Sequence, residues 1–305
     1  MGADWKPPAT EGALRMRPLT VLARPWTERR FLHRHYERLL DALGDRSRFR
    51  VVPLRELRDA PRDRVVVGLR HDIEERFRGG LETAALEAER GLPATYFILH
   101  TAPYYGDVGW RRARHDESLI AGLRRLQEMG HEVGWHNDLV TLQCVHGIEP
   151  REYLAGELEW LRGHGIDVRG ASSHGSYWAH RLRYHNNYFF ADFDHEVHEG
   201  FPNKYAVQVG ERRCELSKGT LREFGLEYEA YHLGEDRYFS DARFDADGRR
   251  WHTDGVDLDG LRPGDRAIVL THPDYWDPSV ARKAVRTVFW SARKLVAGER
   301  SWKIH

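Results

Sequence analysis

Short apolar runs alternate along the chain with segments in which apolar residues recur at helical spacing. Four runs have the length and composition of buried strands, and they fall at residues 64–70, 94–100, 131–136 and 168–174. Segments with helical periodicity precede or follow these runs, at residues 27–43, 81–90, 117–129 and 150–163. Strands that alternate with helices of this length indicate βα units and therefore a parallel sheet.

The second half of the chain is less regular. Three further strands and a closing helix are predicted by the same criteria, at residues 226–233, 237–240, 267–271 and 278–295. The number of βα units predicts an α/β fold, a distorted (β/α) barrel with an irregular insertion around residues 180–265. We predict one domain over residues 1–305, in which 1–60 form an N-terminal lead and helix and 61–305 form the barrel.

Composition narrows the class of protein. The 47 Lys and Arg residues balance 47 Asp and Glu residues, which argues against a charge field that would hold nucleic acid. No apolar run approaches the about 20 residues of a membrane helix, and the first residues lack the apolar core of a secretory signal. Two cysteines, Cys144 and Cys214, are too few for a disulfide framework. We therefore expect a cytoplasmic protein with no nucleic-acid partner and no membrane span, and its oligomeric state stays open.

Polar side chains with catalytic chemistry follow four of the predicted strands. In barrels of this kind, catalytic groups collect at the carboxyl ends of the strands. Asp72 and Glu74 follow the first run, and His136, His174 and His272 end or follow three later runs. These residues are therefore the candidates for a common site.

Strand alternation separates site candidates from structural residues. Residues two apart in a strand share a face, so Asp72 and Glu74 point to one side and His71 to the other. Two carboxylates on one face need compensation, usually by a divalent metal or a catalytic proton. His131 and His136 are an odd number of residues apart, which places them on opposite faces and leaves His136 as the site candidate.

Each signal taken alone also has a structural explanation. The acidic pair could be a solvated turn, and a strand-end histidine could bond to backbone or cap a turn. Four successive strand ends with carboxylates or imidazoles are stronger evidence, because borderline metals and acid–base chemistry require that set.

Four motifs occur in a fixed order between residues 64 and 276: VGLRHDIE, PATYFIL, GHEVGWHN and VLTHP. In these motifs the chain resembles the NodB-like polysaccharide deacetylases, carbohydrate esterase family 4, and in particular the branch with an Arg-His-Asp-x-Asp/Glu opening. The resemblance implies a barrel of the NodB-homology type. It also implies metal-dependent hydrolysis that removes an N-acetyl group from an amino sugar or sugar conjugate, such as a surface polysaccharide or a secondary-metabolite glycoside.

The resemblance further implies a role for each matching residue. Asp72 matches the general base, and His272 matches the acid that protonates the departing amine. Glu74 and His136 match ligands of the metal. The roles of Asp72 and Glu74 could be exchanged, or both could touch the metal.

One ligand of the family is missing from its usual place. The second histidine ligand would stand at Val140, four residues after the first, and we predict that His174 supplies the imidazole instead. The implied cofactor is a divalent metal ion, with zinc favoured and cobalt, nickel, manganese or iron as alternatives.

The implied partner is an amino-sugar-containing small molecule or a glycan. Aromatic side chains beside the motifs could stack on a sugar ring, and the RYFSD segment, with Tyr238 and Ser240, could add a polar wall. The predicted substrate-binding residues are Trp135, Tyr177, Trp178, Asp241 and Trp276. Two other functions stay open: a non-catalytic carbohydrate-binding relative, and a metal-dependent hydrolase of another C–N amide bond.

Overall fold

A curled parallel sheet with packed helices forms the frame of this mixed α/β chain. The computed structural model describes residues 32–107, 114–242 and 256–279, together with residues 281, 282 and 285. The beginning of the predicted lead and most of the predicted closing helix lie outside the described residues.

Most of the strands belong to that one sheet. In chain order the strands are β1 (Phe49–Val52), β2 (Val65–Ile73), β3 (Thr95–Leu99), β4 (Gly106–Asp107), β5 (Arg114–His115), β6 (Glu132–Asn137), β7 (Val168–Ser173), β8 (Ala206–Val209), β9 (Arg212–Glu215), β10 (Tyr228–Glu229), β11 (Arg237–Ser240) and β12 (Arg266–Thr271). The main sheet runs β10–β7–β6–β3–β2–β12–β11, with β1 beside the first half of β2, and all its neighbours are parallel. β4–β5 and β8–β9 are separate antiparallel pairs.

Helices connect the strands and cover the sheet. They are α1 (His33–Leu43), α2 (Leu54–Leu57), α3 (Phe77–Ala88), α4 (Leu119–Glu128), α5 (Leu139–His146), α6 (Pro150–Gly163) and α7 (Tyr177–Leu182). Single 3₁₀ turns add Asn186–Phe189, Ala191–Phe193, Arg222–Phe224 and Pro273–Tyr275. None of the described helices is both long and apolar enough to cross a bilayer.

The two faces of the sheet pack against different partners. On the inner face, Val66 and Phe97 pack with Leu54 and Leu57 of α2. Gly68 allows α2 to approach, because a Cβ at this position would lie 2.4 Å from the Leu54 side chain. The outer face contributes the opposite set of side chains to the larger core formed with the other helices. α2 therefore fills the inner face near the amino ends of the strands, and polar groups occupy the carboxyl ends.

The sheet is curled into a half-barrel. A mixed α/β chain with a curled parallel sheet agrees with the predicted class, a distorted (β/α) barrel. Among the described strands no pairing joins the edge strands β10 and β11. The two edges nevertheless approach each other, since the rings of Tyr231, just after β10, and Tyr238, in β11, are 6.1 Å apart.

The predicted strands at 64–70, 94–100, 131–136 and 168–174 are present as β2, β3, β6 and β7, and α6 has the predicted bounds. The strand predicted at 226–233 is wrong in length, because only two of its residues pair. The predicted insertion also contains two strands of the main sheet, β10 and β11. The sequence did not predict α5, because it is apolar on nearly all sides and lacks a polar stripe.

Glu87 of α3 organises the outer face of the sheet although it is a fully buried carboxylate. Its Oε1 accepts a hydrogen bond from the Tyr36 hydroxyl (2.5 Å) and contacts Nε2 of His71 at 2.6 Å. Its Oε2 accepts from the Tyr96 hydroxyl (2.6 Å) and lies 3.7 Å from Nδ1 of His131. Burial favours the neutral acid, but these neighbours outweigh burial and lower the pKa of Glu87. His71 thus lies on the face opposite the site, as strand alternation predicts.

Replacing this carboxylate should destabilise the fold. Glu87→Gln replaces one of the two carboxylate oxygens by an amide NH₂ group, which cannot accept a hydrogen bond. We therefore expect the free energy of unfolding in urea to fall by about 2–4 kcal/mol. Glu89→Gln, on the exposed side of the same helical segment, is the control and should stay within about 0.5 kcal/mol of the wild type. Because the folded-state pKa of Glu87 is lowered, its contribution is present above about pH 4.3 and is lost on acidification. An equal effect of the two variants would contradict this assignment.

Candidate active site

The carboxyl ends of β2, β6, β7 and β12 bring the predicted site residues together. Parallel register places His136 beside Ser172, and the His174 N–H donates to the Asn137 carbonyl oxygen at 2.9 Å. β12 pairs with β2 on the other side, so His272 follows a strand that ends next to the strand of Glu74. Because these strand ends are adjacent, residues up to 200 positions apart in the sequence lie in one cluster.

Glu74, His136 and His174 offer ligand atoms that all lie within 4.8 Å of one another. Nδ1 of His174 is 3.2 Å from Nε2 of His136 and 3.4 Å from Oε1 of Glu74. Among the described residues this is the one group of three such side chains close enough to hold a metal ion. Val140 lies buried in α5 and offers no ligand atom.

The donor set fits a borderline divalent metal. Two imidazole nitrogens and one carboxylate oxygen match the three protein ligands of open catalytic zinc sites and the 2-His-1-carboxylate triad. Nδ1 of His136 lies 3.0 Å from the Ser172 carbonyl oxygen, an acceptor that requires Nδ1 to carry the proton. The lone pair of Nε2 therefore faces the cluster, in the orientation that a metal ligand needs.

The electrostatics of the trio keep a negative carboxylate beside two imidazoles. Burial opposes ionisation of Glu74, but the His174 hydrogen bond and the nearby His272 lower the pKa of Glu74 to about 2. Burial lowers the pKa of His136 to about 4 despite the neighbouring Asp72. Burial also opposes the charged form of His174, but its contact with Glu74 raises the pKa of His174.

Asp72 stands beside the trio and is held by Arg70, two residues earlier on the same face of β2. The guanidinium donates from Nε to Oδ1 (3.0 Å) and from Nη2 to Oδ2 (2.8 Å), and both side chains are almost fully buried. Oδ2 of Asp72 is 3.6 Å from Nε2 of His136. Burial would raise the pKa of Asp72, but Arg70 and then His136 hold it well below the usual range. Asp72 is therefore a fixed anion at the edge of the candidate ligand set.

Glu74 is positioned by a second carboxylate, that of Asp274. Oδ2 of Asp274 accepts the backbone N–H groups of Glu74 (2.9 Å) and Glu75 (3.0 Å), and Oδ1 accepts that of Arg76 (2.6 Å). Three successive donors on one carboxylate fix the turn between β2 and α3. The segment after β12 thus holds the backbone that carries a candidate ligand.

His272 is held by Asp241, which follows β11. Oδ1 of Asp241 accepts from Nδ1 of His272 (2.6 Å), and Oδ2 accepts the His272 backbone N–H (2.8 Å) and the Trp276 indole N–H (3.0 Å). Nε2 of His272 points toward the cluster and is 3.6 Å from Oε1 of Glu74. Burial alone would lower the pKa of His272, but Asp241 raises it to about 9. The imidazole therefore carries a proton at neutral pH.

The predicted substrate-binding residues do not all face the cluster. Trp135 is fully buried on the outer face, where its ring stacks on His100 at 4.7 Å. Trp276 and Asp241 are also buried; Asp241 binds His272, and the Trp276 indole N–H donates to Asp241. Trp135 thus lies on the face opposite the cluster, and contact of these three residues with substrate stays a prediction.

Tyr177 and Trp178 lie at the start of α7, three and four residues after His174. Tyr177 is 50% exposed, and its ring meets that of Trp178 edge-on at 5.4 Å. Of the predicted substrate-binding residues, these two keep the accessibility that contact with a sugar would require.

Arg70, Glu229 and Tyr231 also shape the site, and none of them was predicted as a site residue. Besides holding Asp72, Arg70 donates to the Ser172 hydroxyl, and the Tyr231 ring covers its guanidinium at 4.5 Å. Glu229 at the end of β10 accepts the N–H groups of Ser173 (2.8 Å) and Tyr231 (2.7 Å), which fixes the backbone just before His174. Strand alternation could have found Arg70, because it has the same parity as Asp72. Nothing in the sequence indicates the contacts of Glu229 and Tyr231.

No protein-family model and no curated protein matches this chain. Among solved structures, a family 4 carbohydrate esterase from Bacillus anthracis is similar. The two chains are 14% identical over 85% of this chain and 86% of that chain, with a TM-score of 0.33. A similarity of this size carries no argument about the site or the reaction.

Removing the negative charge at Asp241 should change the titration of His272. For Asp241→Asn we expect the His272 pKa, followed by ¹⁵N NMR, to fall by about one to three pH units. Asp236→Asn, an exposed residue that accepts the Arg266 N–H, is the control and should leave this pKa unchanged.

The ion pair of Asp241 and His272 should also make the stability of the fold depend on pH in the alkaline range. Because the folded-state pKa of His272 is raised, its stabilisation is complete below about pH 6.5 and is lost as the pH rises through about 9. An unchanged His272 titration in Asp241→Asn would show that another group keeps the imidazole charged.

Proposed function

We propose that the chain is a metal-dependent carbohydrate N-deacetylase, a hydrolase that removes an N-acetyl group from an amino sugar or a sugar conjugate. The observation that carries the proposal is the convergence of Glu74, His136 and His174 between two acid–base candidates, Asp72 and His272. Each candidate is fixed by a buried partner of opposite charge.

Glu74, His136 and His174 would hold the metal ion, with zinc favoured and cobalt, nickel, manganese or iron as alternatives. A bound divalent ion supplies Lewis acidity, which polarises a carbonyl group and makes water more acidic. Nδ1 of His136 keeps its proton, which it donates to the Ser172 carbonyl oxygen. The imidazole can therefore bind a metal ion through Nε2 without rearrangement.

Asp72 is the proposed general base. Its carboxylate lies beside His136 and is kept ionised by Arg70, so it can accept a proton from water that attacks the acetyl carbonyl carbon. The same ion pair makes Asp72 a weak base in the resting site. Asp72 therefore takes the proton as negative charge develops on the substrate, and the bidentate hold of Arg70 keeps its orientation fixed.

His272 is the proposed general acid. Asp241 binds its Nδ1, which leaves Nε2 directed at the cluster with a proton to give at neutral pH. As the C–N bond breaks, this proton passes to the departing nitrogen. The products are acetate and the free amine, and the two proton transfers balance.

The choice of an amino-sugar substrate rests on the four sequence motifs. Tyr177 and Trp178 are the proposed sugar contacts, because the first is half exposed and the two rings form an edge-on pair beside the segment of His174. Tyr275, which stacks on His272 at 5.0 Å, lies at the opposite side of the cluster.

Metal binding tests the ligand set directly. His174→Ala removes one of three ligand atoms, so zinc affinity should fall by more than about a hundredfold, since loss of an outer partner alone costs about 10–100-fold. Competition with a chromogenic chelator measures the affinity, and His164→Ala on the surface after α6 is the control. Unchanged affinity would remove His174 from the set. Absence of divalent-ion binding in the wild type would favour a non-catalytic carbohydrate-binding protein.

Measurements of activity and metal content distinguish the proposed acid, His272, from the proposed metal ligands. His272→Ala should abolish acetate release from N-acetylated amino sugars while its metal content equals that of the wild type. Asp72→Asn should lower kcat about a thousandfold or more, because the base is lost. Glu74→Ala should instead weaken metal binding and recover partly in excess metal.

Two outcomes would change this assignment. Rescue by metal of the Asp72 variant and not of the Glu74 variant would exchange the two roles. Release of acid only from other N-acyl compounds in a substrate panel would indicate a hydrolase of a different C–N amide bond.

A further inference from the structure

The two cysteines of the chain lie against each other although 70 residues separate them in sequence. Cys144 is on α5 and Cys214 is on β9, and both are buried. Their Sγ atoms are 2.8 Å apart. We propose that this pair is a site of oxidative modification, at which a disulfide bond joins α5 to the β8–β9 hairpin.

The backbone around the pair is already fixed in place for such a bond. A disulfide requires an S–S separation of about 2.05 Å, so the two sulfurs need to approach by less than about 1 Å. The Gln143 side-chain amide donates to the Glu215 carbonyl oxygen (3.0 Å) and accepts from the Ser217 N–H (3.0 Å). The Arg212 guanidinium donates to the Cys144 carbonyl oxygen. These hydrogen bonds hold helix and hairpin against each other on both sides of the sulfurs, which keeps the two thiols in contact.

A low-molecular-weight disulfide such as oxidised glutathione is a sufficient oxidant. Cys214, which keeps 8% of its surface exposed, attacks one sulfur of the oxidant and releases one small thiol. Cys144 then attacks the sulfur of Cys214 in the mixed disulfide and releases the second small thiol. Two protein thiols are oxidised, one small disulfide is reduced, and both protons end on the released thiols.

Oxidation of the cysteine pair should be slow, and its effect should be on the stability of the fold. Burial raises the pKa of the Cys144 thiol, so little of the reactive thiolate is present at neutral pH. The bond would close a loop that includes β7 and β8, and this constraint on the unfolded chain favours the folded state. Because the sulfurs are already in contact, we expect the arrangement of Glu74, His136 and His174 to be unchanged.

The test is oxidation of the fully reduced wild-type protein with oxidised glutathione. Intact mass under denaturing, non-reducing conditions should fall by about 2 Da, and the thiol count in denaturant should go from two to zero. The oxidised protein should melt roughly 5–10 °C above the reduced protein, and reduction should reverse the shift. Zinc affinity should be equal in both forms.

Cys144→Ser is the control, because it leaves Cys214 without its partner. This variant should stop at the mixed disulfide with glutathione and show no stabilisation. Persistence of both wild-type thiols, accumulation of the mixed disulfide alone, or a disulfide between two chains would each overturn the proposal. Apart from the zinc affinity, none of these measurements depends on the proposed function.

Discussion

The buried ion pair of Arg70 and Asp72 is the interaction on which the site depends. Taking both charges out of water is costly, and the pair is tolerable because its geometry is bidentate and the guanidinium makes further hydrogen bonds. Arg70 also donates to Ser172 and to the Tyr238 hydroxyl and is covered by Tyr231, so one guanidinium links β2, β7, the end of β10 and β11. These include the two edges of the curled sheet. The ion pair therefore helps to set the curvature that brings the strand ends together.

Other carboxylates act on the backbone or the ring orientation of the candidate site residues. Asp274 holds the turn of Glu74, Glu229 holds the residue before His174, and Asp241 holds His272 by both backbone and ring. Each of these carboxylates comes from a strand or turn next to the one that it fixes. The strand ends are thus connected in pairs, and a displacement of one end would move its neighbour.

Strand alternation predicted which face of the sheet carries several of the site residues, but it was not applied to every residue of β6. The rule correctly placed Asp72 opposite His71, and His136 opposite His131. Applied to Trp135, the residue directly before His136, the same rule places the side chain on the outer face, away from the cluster. Contacts made across long sequence separations could not be predicted, because they depend on which strands become neighbours. The two-residue strand β10, which carries Glu229, has too little length to show any periodicity.

The position of His174 depends on a change of register that alternation along one strand cannot show. Val133 pairs with Val168, but Trp135 pairs with Ala171, so β7 contains one extra residue between these pairs. An extra residue turns everything beyond it to the opposite face of the strand. Gly170 lies in this segment, and a Cβ there would be 2.1 Å from the Tyr228 ring of β10, so the irregular strand and the edge strand fit together only with glycine. The imidazole of His174, the proposed substitute for a ligand at Val140, is therefore positioned by sheet register, whereas a ligand at Val140 would be positioned by the start of α5.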